Sequence, residues 1–210
     1  MPKKKQEYGN DSITSLKGAD RVRKRPAVIF GSDGLEGCEH SFFEILSNSI
    51  DEAREGYGSL IEVTRFMDRS IEVKDHGRGI PLDYNEGEGR FNWELVYCEL
   101  YAGGKYDNNK GGMYEYSLGL NGLGACATQY SSEYMDVTVV RDKTQYTLHF
   151  EKGENVGGLQ PQMLFLNRFY YICHSVSNIC QSHIRMRFLP PYRVNRRVQG
   201  NLNCDNIQAY

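Results

Sequence analysis

The chain has no apolar run of membrane-spanning length, and no apolar segment follows its basic start, Met1-Pro-Lys-Lys-Lys, as a secretory signal would require. These absences argue against a membrane protein and predict the cytoplasm. The six cysteines form no CxxC pair, so reduced thiols are expected instead of a disulfide framework. One set could be combined into a zinc site, but its spacing matches no standard finger: Cys173, His174, Cys180 and His183.

Lysine is absent after residue 160, and threonine is absent after Thr147. Residues 1–160 hold 19 basic and 26 acidic side chains, a net charge of about −7, whereas residues 161–210 hold six arginines and one acid, about +5. The two parts therefore differ in composition and in the sign of their net charge. We divide the chain into a polar arm over 1–15, a central domain over 16–159 and an atypical tail over 160–210.

The central domain alternates strand-like and helix-like patterns. Apolar and polar residues alternate over 60–75 and again over 134–153, which predicts two hairpins. Helical periods are predicted over 16–25, around 43–56, over 91–102 and from Gly124 onward, whereas 27–34 reads as an extended piece and a Gly turn. A helix is also expected over 161–173. These elements predict an α/β two-layer sandwich, with a mixed, mostly antiparallel sheet covered by helices on one face.

Residues 43–56, FEILSNSIDEAREG, place a polar stripe on the predicted helix: Glu44, Asn48, Asp51, Glu52 and Glu55. No lysine lies on the stripe to form the usual i,i+4 ion pairs. A merely solvated helix face is the ordinary interpretation of such a pattern, and a functional site is the alternative.

Two glycine-rich segments are candidates for contact with a ligand. DHGRGIP over 75–81 directly follows a predicted strand. Gly119-Leu-Asn-Gly122-Leu-Gly124 leads into a predicted helix, where backbone N–H groups could bind phosphate. The latter run lacks the Lys-Ser or Lys-Thr of a Walker A loop and the preceding strand of a Rossmann fingerprint. A purely structural loop remains the alternative.

A nucleotide would use these residues in distinct ways. Asn48 can supply the side-chain oxygen that Mg²⁺ prefers, and Glu44, one turn away, could orient or deprotonate a water. Asp75, at a strand end, can accept a hydrogen bond from an exocyclic amine such as that of adenine. Gly77 and Gly79 would let the base approach the backbone closely.

FEILSNSIDEA, VKDHGRGIP and GLNGLG, in this order, resemble the three nucleotide-binding motifs of the GHKL ATPases. KGADRVRKRPAVIFG and YAGGKYDNN narrow the resemblance to the ATPase component of bacterial type IIA topoisomerases, the gyrase and topoisomerase IV B subunits. The likeness runs from about Tyr8 to Leu159. It implies a Bergerat-type ATP-binding fold, ATP and Mg²⁺ as ligands, and an ATP-hydrolysing DNA topoisomerase.

The resemblance implies that Glu44 is the general base, that Asn48 binds Mg²⁺ and that Asp75 binds adenine. Glu52 is expected to pair with Arg78. The remaining ATP-binding positions that it implies are Gly79, Ile80, Pro81, Gly103, Gly104, Lys105, Tyr114, Gly119, Leu120, Asn121, Gly122, Leu123, Gly124 and Arg141. Tyr8 and Ile13 match an arm that reaches across to a second protomer, which implies a homodimer. Asp51 and Glu55 are expected to be ordinary polar positions.

The sequence departs from the family pattern at three single positions and in its tail. His76, Asn121 and Glu115 stand where the family often has an acid, a His and a Lys. Past Leu159 the family continues into a Thr-Gly-Thr strand that helps to close the adenine pocket, and no Thr is present here. A divergent subdomain is one explanation for residues 160–210; a tail read in a shifted frame, or joined from elsewhere, is the other.

The function expected from the resemblance is ATP-driven dimer closure coupled to DNA strand passage. Contact with DNA and with the topoisomerase A protein would require domains absent from these 210 residues, so turnover by this chain alone is expected to be slow or absent. A non-hydrolysing nucleotide-binding module and a chaperone- or mismatch-repair-type relative are the alternatives.

Overall fold

The computed structural model describes residues 13–102, 118, 122–163 and 181–188. The helices are α1 (Asp20–Arg23), α2 (Pro26–Phe30), α3 (Leu35–Arg54), α4 (Asn92–Cys98) and α5 (Gly124–Ser131). The strands are β1 (Ile61–Arg65), β2 (Ile71–Asp75), β3 (Tyr84–Asn85), β4 (Arg90–Phe91), β5 (Ser132–Arg141), β6 (Thr144–Glu151), β7 (Glu154–Met163) and β8 (Gln181–Phe188).

Among the described residues, six strands form one sheet in the order β1-β2-β8-β5-β6-β7, and each neighbouring pair is antiparallel. Both predicted hairpins are present, as β1–β2 and β5–β6. The short strands β3 and β4 form a separate pair. The predicted α/β two-layer fold is therefore confirmed, with a sheet whose pairings among the described strands are all antiparallel.

Strand β8 lies in the middle of this sheet although it comes from the segment that we separated as an atypical tail. It pairs with β2 on one side and with β5 on the other, placing Ser182 opposite Asp75. Met186 is fully buried. Strand β7 likewise runs past residue 160 to Met163, so the helix predicted over 161–173 is wrong at its first three residues, and the rest of that range lies outside the described residues.

Residues 26–30 are helical, which corrects the extended conformation predicted for this stretch. Pro26 is at the first turn, where its fixed φ and missing N–H cost nothing. Gly31 ends the helix in the left-handed region, at φ 73°. The apolar run AVIF, which was predicted to be extended, is thus helical between the two residues that bracket it.

The main hydrophobic core lies between the sheet and the helical layer. Ile45 of α3 and Tyr97 of α4 pack with strand residues whose side chains point to the same face: Val73, Met135, Val137, Val139, Leu148, Phe150 and Met186. A smaller cluster joins α1, α2 and α5 through Val22, Phe30 and Ala127. Among the described residues, no helix is long and apolar enough to cross a membrane.

Candidate active site

Part of the polar stripe on helix α3 lies in the interior of the protein. Ser41, Ile45 and Ser49, spaced four residues apart, are buried along the packed face. Glu44 and Asn48 lie beside them and are partly exposed. Asp51 is only 4% exposed. The acidic stripe is therefore not the solvated face that its composition suggested.

Asp75 lies at the end of β2 and is 8% exposed. Ser49 donates its hydroxyl to one carboxylate oxygen at 2.8 Å, and the Gly77 N–H donates to the other at 2.9 Å. Burial, with a smaller contribution from the charge of Asp75, raises the pKa of the neighbouring Tyr97 phenol. Both hydrogen bonds orient the Asp75 carboxylate. It is therefore a buried hydrogen-bond acceptor in a fixed position, where β2 meets the glycine turn.

Ser49 was not predicted to belong to the site. Its signal in the sequence is weak: two serines, eight residues apart, flank Ile45 on the face that packs. A small polar residue on an apolar helix face needs a hydrogen-bond partner once it is buried. Asp75 is that partner, but only the tertiary structure shows it.

Glu52 and Arg78 form the ion pair that the resemblance implied. The guanidinium donates from Nε to Oε2 at 3.0 Å and from Nη2 to Oε1 at 2.9 Å, and the Arg78 N–H also donates to Oε2. The ring of Tyr57 lies 3.8 Å from the Arg78 guanidinium carbon. This bidentate, stacked arrangement fixes the loop over 76–81 against α3.

Glu44 lies at the junction of α3 and α5. A Cβ built on Gly124 would come 2.9 Å from the Cβ of Glu44, which cannot move without its helix, so glycine at the first position of α5 allows the two helices to approach this closely. His40, one turn earlier on α3, has Nε2 3.2 Å from Glu44 Oε1. His40 was not predicted, although an i,i+4 His–Glu pair is a readable pattern.

Asn48 donates from Nδ2 to the backbone carbonyl of Glu44 at 3.0 Å. The amide nitrogen is thereby occupied by the helix, and Oδ1 is the atom left for a cation. No group of three metal-ligating His, Cys, Asp or Glu side chains occurs among the described residues.

The loop over 78–81 meets β5 at one edge of the site. Arg141 Nη1 lies 3.5 Å from the carbonyl oxygen of Gly79, which has a φ of 69°. Ile80 packs against the main core, and Pro81 is exposed. Arg141 and Gly79, both implied as ATP-binding positions by the resemblance, are thus next to each other.

Residues 122–124 are the described end of the glycine-rich run, and Gly124 is also the first residue of α5. The Tyr101 N–H donates to the carbonyl of Gly122 at 3.1 Å, and Leu123 directly precedes the helix. Ile13, near the start of the described chain, is 73% exposed. The other predicted positions lie outside the described residues, and their roles stay predictions: Tyr8, Gly103, Gly104, Lys105, Tyr114, Gly119, Leu120 and Asn121. The side chains of the candidate zinc set also lie outside them.

Asp51 corrects a prediction. It was expected to be an ordinary polar position, but its buried Oδ1 accepts the N–H of Leu118 at 2.8 Å. Helical periodicity placed it on the polar stripe and could not show that another segment covers that part of the stripe.

Three features lie on the helical side of one antiparallel sheet. They are a helix with a Glu and an Asn one turn apart, a buried Asp before a glycine turn, and a glycine-rich segment that leads into a second helix. This combination of fold and site matches what the resemblance to the GHKL ATPases implied.

Comparison with known proteins shows which members of this class the chain is similar to. The chain is 42% identical over 151 residues to the DNA gyrase B protein of Thermotoga maritima, and 42% identical over 151 residues to the type 2 topoisomerase B protein of Aquifex aeolicus. Each match covers 72% of this chain, but the chain spans only 23% and 19% of the two relatives. No family model matches the chain.

The solved structures to which the chain is similar come from the same kinds of protein. The 43K ATPase domain of Thermus thermophilus gyrase B, in complex with an aminocoumarin, has a TM-score of 0.61 and 28% identity; the match covers 84% of this chain and 40% of that one. The topoisomerase IV ATP-binding domain of Francisella tularensis has a TM-score of 0.60 and 28% identity, with coverages of 81% and 41%. The chain is therefore related to the ATPase region of type IIA topoisomerase B subunits.

Proposed function

We propose that this chain binds ATP with Mg²⁺ and hydrolyses it, only slowly when it is alone, as part of the B protein of a type IIA topoisomerase. The observation that carries the proposal is the buried carboxylate of Asp75, held by Ser49 and Gly77 on the same helix-covered side of the sheet as Glu44 and Asn48. A structural ion pair would place a cation on such a carboxylate, whereas the two donors that hold this one are neutral.

Asp75 would accept a hydrogen bond from the exocyclic amine of adenine. Each carboxylate oxygen has two lone pairs, so the bonds from Ser49 and Gly77 leave acceptor capacity on both oxygens. The Glu52–Arg78 pair and the Arg141–Gly79 contact would hold the loop that borders the base. ATP and its phosphates would then extend along α3 toward Gly124.

The residues present fit a magnesium ion bound mainly through phosphate and water. Asn48 would hold the ion through Oδ1, because Mg²⁺ takes oxygen ligands, and the bond from Nδ2 to the Glu44 carbonyl would fix the orientation of the amide. When bound, Mg²⁺ neutralises charge on the phosphate oxygens. A single protein oxygen is sufficient, since Mg²⁺ usually keeps several waters.

Glu44 would accept the proton of the water that attacks the terminal phosphate. His40, 3.2 Å away, restricts the position of the carboxylate, and the close packing against Gly124 does so from the other side. A restrained carboxylate is what general-base catalysis requires, because proton transfer depends on geometry first.

At the level of the whole topoisomerase, we propose that ATP binding closes a homodimer and drives DNA strand passage, with the topoisomerase A protein as a partner and the cytoplasm as the compartment. The gyrase and topoisomerase names of the relatives support this assignment. The Tyr8–Ile13 arm would contribute to the dimer. DNA and the A protein would be contacted through parts of the relatives that these 210 residues do not match.

Glu44→Gln tests the enzymatic part of the proposal. Removing the base should lower ATP turnover by about 10²–10⁴-fold. Binding should be spared, so Mg-ATP at about 100 times its Kd should still stabilise the variant by about 2.7 kcal/mol. Phosphate release and thermal melts with and without Mg-ATP measure the two quantities.

Wild-type protein that is stabilised by Mg-ATP but releases no phosphate would identify a non-hydrolysing nucleotide-binding module. Wild-type protein that shows no stabilisation at millimolar Mg-ATP would contradict ATP binding itself. Glu55→Gln, on the same helix, is the matched control and should change neither quantity.

A further inference from the structure

Two buried hydroxyl groups join α3 to α5 beside the proposed general base. Ser41 and Thr128 are both 0% exposed. Ser41 donates from Oγ to Thr128 Oγ1 at 3.0 Å, and Thr128 donates from Oγ1 to the backbone carbonyl of Ser41 at 3.1 Å. Each hydroxyl hydrogen is therefore used in a bond between the two helices, as a buried polar group requires. Neither residue has a part in the chemistry proposed for Glu44, Asn48 and Asp75.

The Ser41–Thr128 pair lies one turn away from the contact between Glu44 and Gly124. Ser41 precedes Glu44 by three residues on α3, and Thr128 follows Gly124 by four residues on α5. A Cβ on Gly124 would come 2.9 Å from the Cβ of Glu44, so the two helices are as close there as glycine permits. The crossing of α3 and α5 is thus fixed at two successive turns, by close approach at one and by hydrogen bonds at the other.

The surroundings of the pair are those of a hydrophobic core. Ile45 on α3 is 1% exposed, and Cys126 and Ala127 on α5 are 0% exposed. Replacing both partners of a buried hydrogen bond by apolar groups of similar shape costs little stability, so stability alone does not account for two hydroxyl groups here. Hydrogen bonds differ from apolar contacts in having a preferred length and direction. They therefore restrict how far the two helices can slide or rotate against each other.

We propose that Ser41 and Thr128 are positioning residues for Glu44. By fixing α5 against the turn of α3 that leads to Glu44, they hold its carboxylate where it can accept the proton of the attacking water. The role concerns the chemical step, because proton transfer depends on geometry first. It does not concern the adenine end, where Ser49 and Gly77 hold Asp75 through separate hydrogen bonds. The inference rests on the proposed ATP hydrolysis.

The test separates turnover, binding and stability in the full chain. In the double variant Ser41→Ala/Thr128→Val, the rate of phosphate release from Mg-ATP should fall about tenfold or more, since a misplacement of about 1 Å can cost about 10²-fold in rate. This rate is measured in single turnover, with the protein in excess over ATP.

Binding and stability should change little in the same double variant. The Kd for Mg-ATP, from calorimetry, should stay within about twofold, and the equilibrium constant of unfolding, from urea denaturation, within about tenfold. Thr128→Ser keeps the hydroxyl group and should release phosphate within about twofold of the wild-type rate.

Ser70→Ala is the matched control. Ser70 is also 0% exposed, and it donates its hydroxyl to Asp68 at 2.6 Å, but it lies at the opposite end of β2 from Asp75. Its loss should lower stability and change neither the rate of phosphate release nor the Kd for Mg-ATP.

A rate within about twofold of wild type in the folded double variant would overturn the proposal. So would a Kd that rises by the same factor as the rate falls, or Thr128→Ser protein that is as slow as the double variant. If the double variant does not fold, Ser41→Ala decides. It removes one of the two hydrogen bonds and should lower the rate about threefold at an unchanged Kd, whereas an unchanged rate contradicts the role. Wild-type protein that binds Mg-ATP without releasing phosphate would instead refute the proposed hydrolysis, and this role with it.

Discussion

Each face of the central sheet carries an aspartate, and the two aspartates have different surroundings. Asp75 points into the space under the helices, is 8% exposed, and accepts from Ser49 and Gly77. Asp136, on the opposite face, has a side chain that is 48% exposed, and its Oδ1 is 2.6 Å from Nδ1 of His149. One carboxylate is a shielded, oriented acceptor, and the other is half of a surface ion pair.

The difference between the faces shows that the surroundings of a charged residue decide its use. Strand β8 alternates in the same way: Met186 is fully buried on the inner face, while Arg185 on the outer face pairs with Asp68 and lies over the Phe66 ring. Interactions that are shielded from water are strong, whereas exposed pairs are screened. The inner face should therefore govern both stability and ligand binding.

The largest expected difference between the faces is in stability. Met186→Ala should lower the free energy of unfolding by about 2–5 kcal/mol, because it leaves a cavity between β2 and β5. Arg185→Ala, one residue away and outward, should cost about 1 kcal/mol or less. Urea denaturation of both variants measures the values; equal costs would show that β8 does not occupy the centre of the sheet in solution.

The next difference is in ligand binding. Asp75→Ala should raise the Kd for ATP by at least about tenfold, because it removes the charged acceptor that we assign to adenine. Asp136→Ala, the matched carboxylate on the outer face, should leave the Kd unchanged. A fluorescent ATP analogue displaced by ATP would report both. Similar ATP affinities for the two variants would contradict the claim that the inner face, and not the outer face, binds ATP.

The smallest effect is a pH dependence on the outer face. The hydrogen bond that the His149 ring donates to Asp136, together with the weaker one that it donates to Glu151, raises the pKa of His149 above its usual 6.5. A raised folded-state pKa contributes stability that is fully present below pH 6.5 and is lost as the pH rises through the folded value. For a side chain that is 39% exposed, screening keeps the gain well under about 1 kcal/mol.

Unfolding of wild type and Asp136→Asn at pH 5.5 and pH 8.5 would measure this contribution. The wild-type advantage should be present at the lower pH and reduced at the higher one. An advantage that grew with pH would contradict the assigned sign.

Much of the fold and part of the site could be predicted from the residues. Alternation over 60–75 and 134–153 predicted both hairpins, because the pattern of one strand is local. The same reasoning missed α2 and the strand pair β3–β4, whose two to five residues are too short to show a period. It also missed β8, since a strand far along the chain from its neighbours is defined by pairing and not by its own sequence.

The sequence by itself determined the class of site: Glu44 and Asn48 one turn apart on a helix, Asp75 before a glycine turn, and the Glu52–Arg78 pair follow from residue type, spacing and resemblance. Only the tertiary structure decided that Ser49 orients Asp75, that Asp51 is buried and accepts the Leu118 N–H, and that β8 lies between β2 and β5. The physical reason is that periodicity reports which face a residue occupies on its own element. Burial and hydrogen-bond partners depend on which distant segment covers that face.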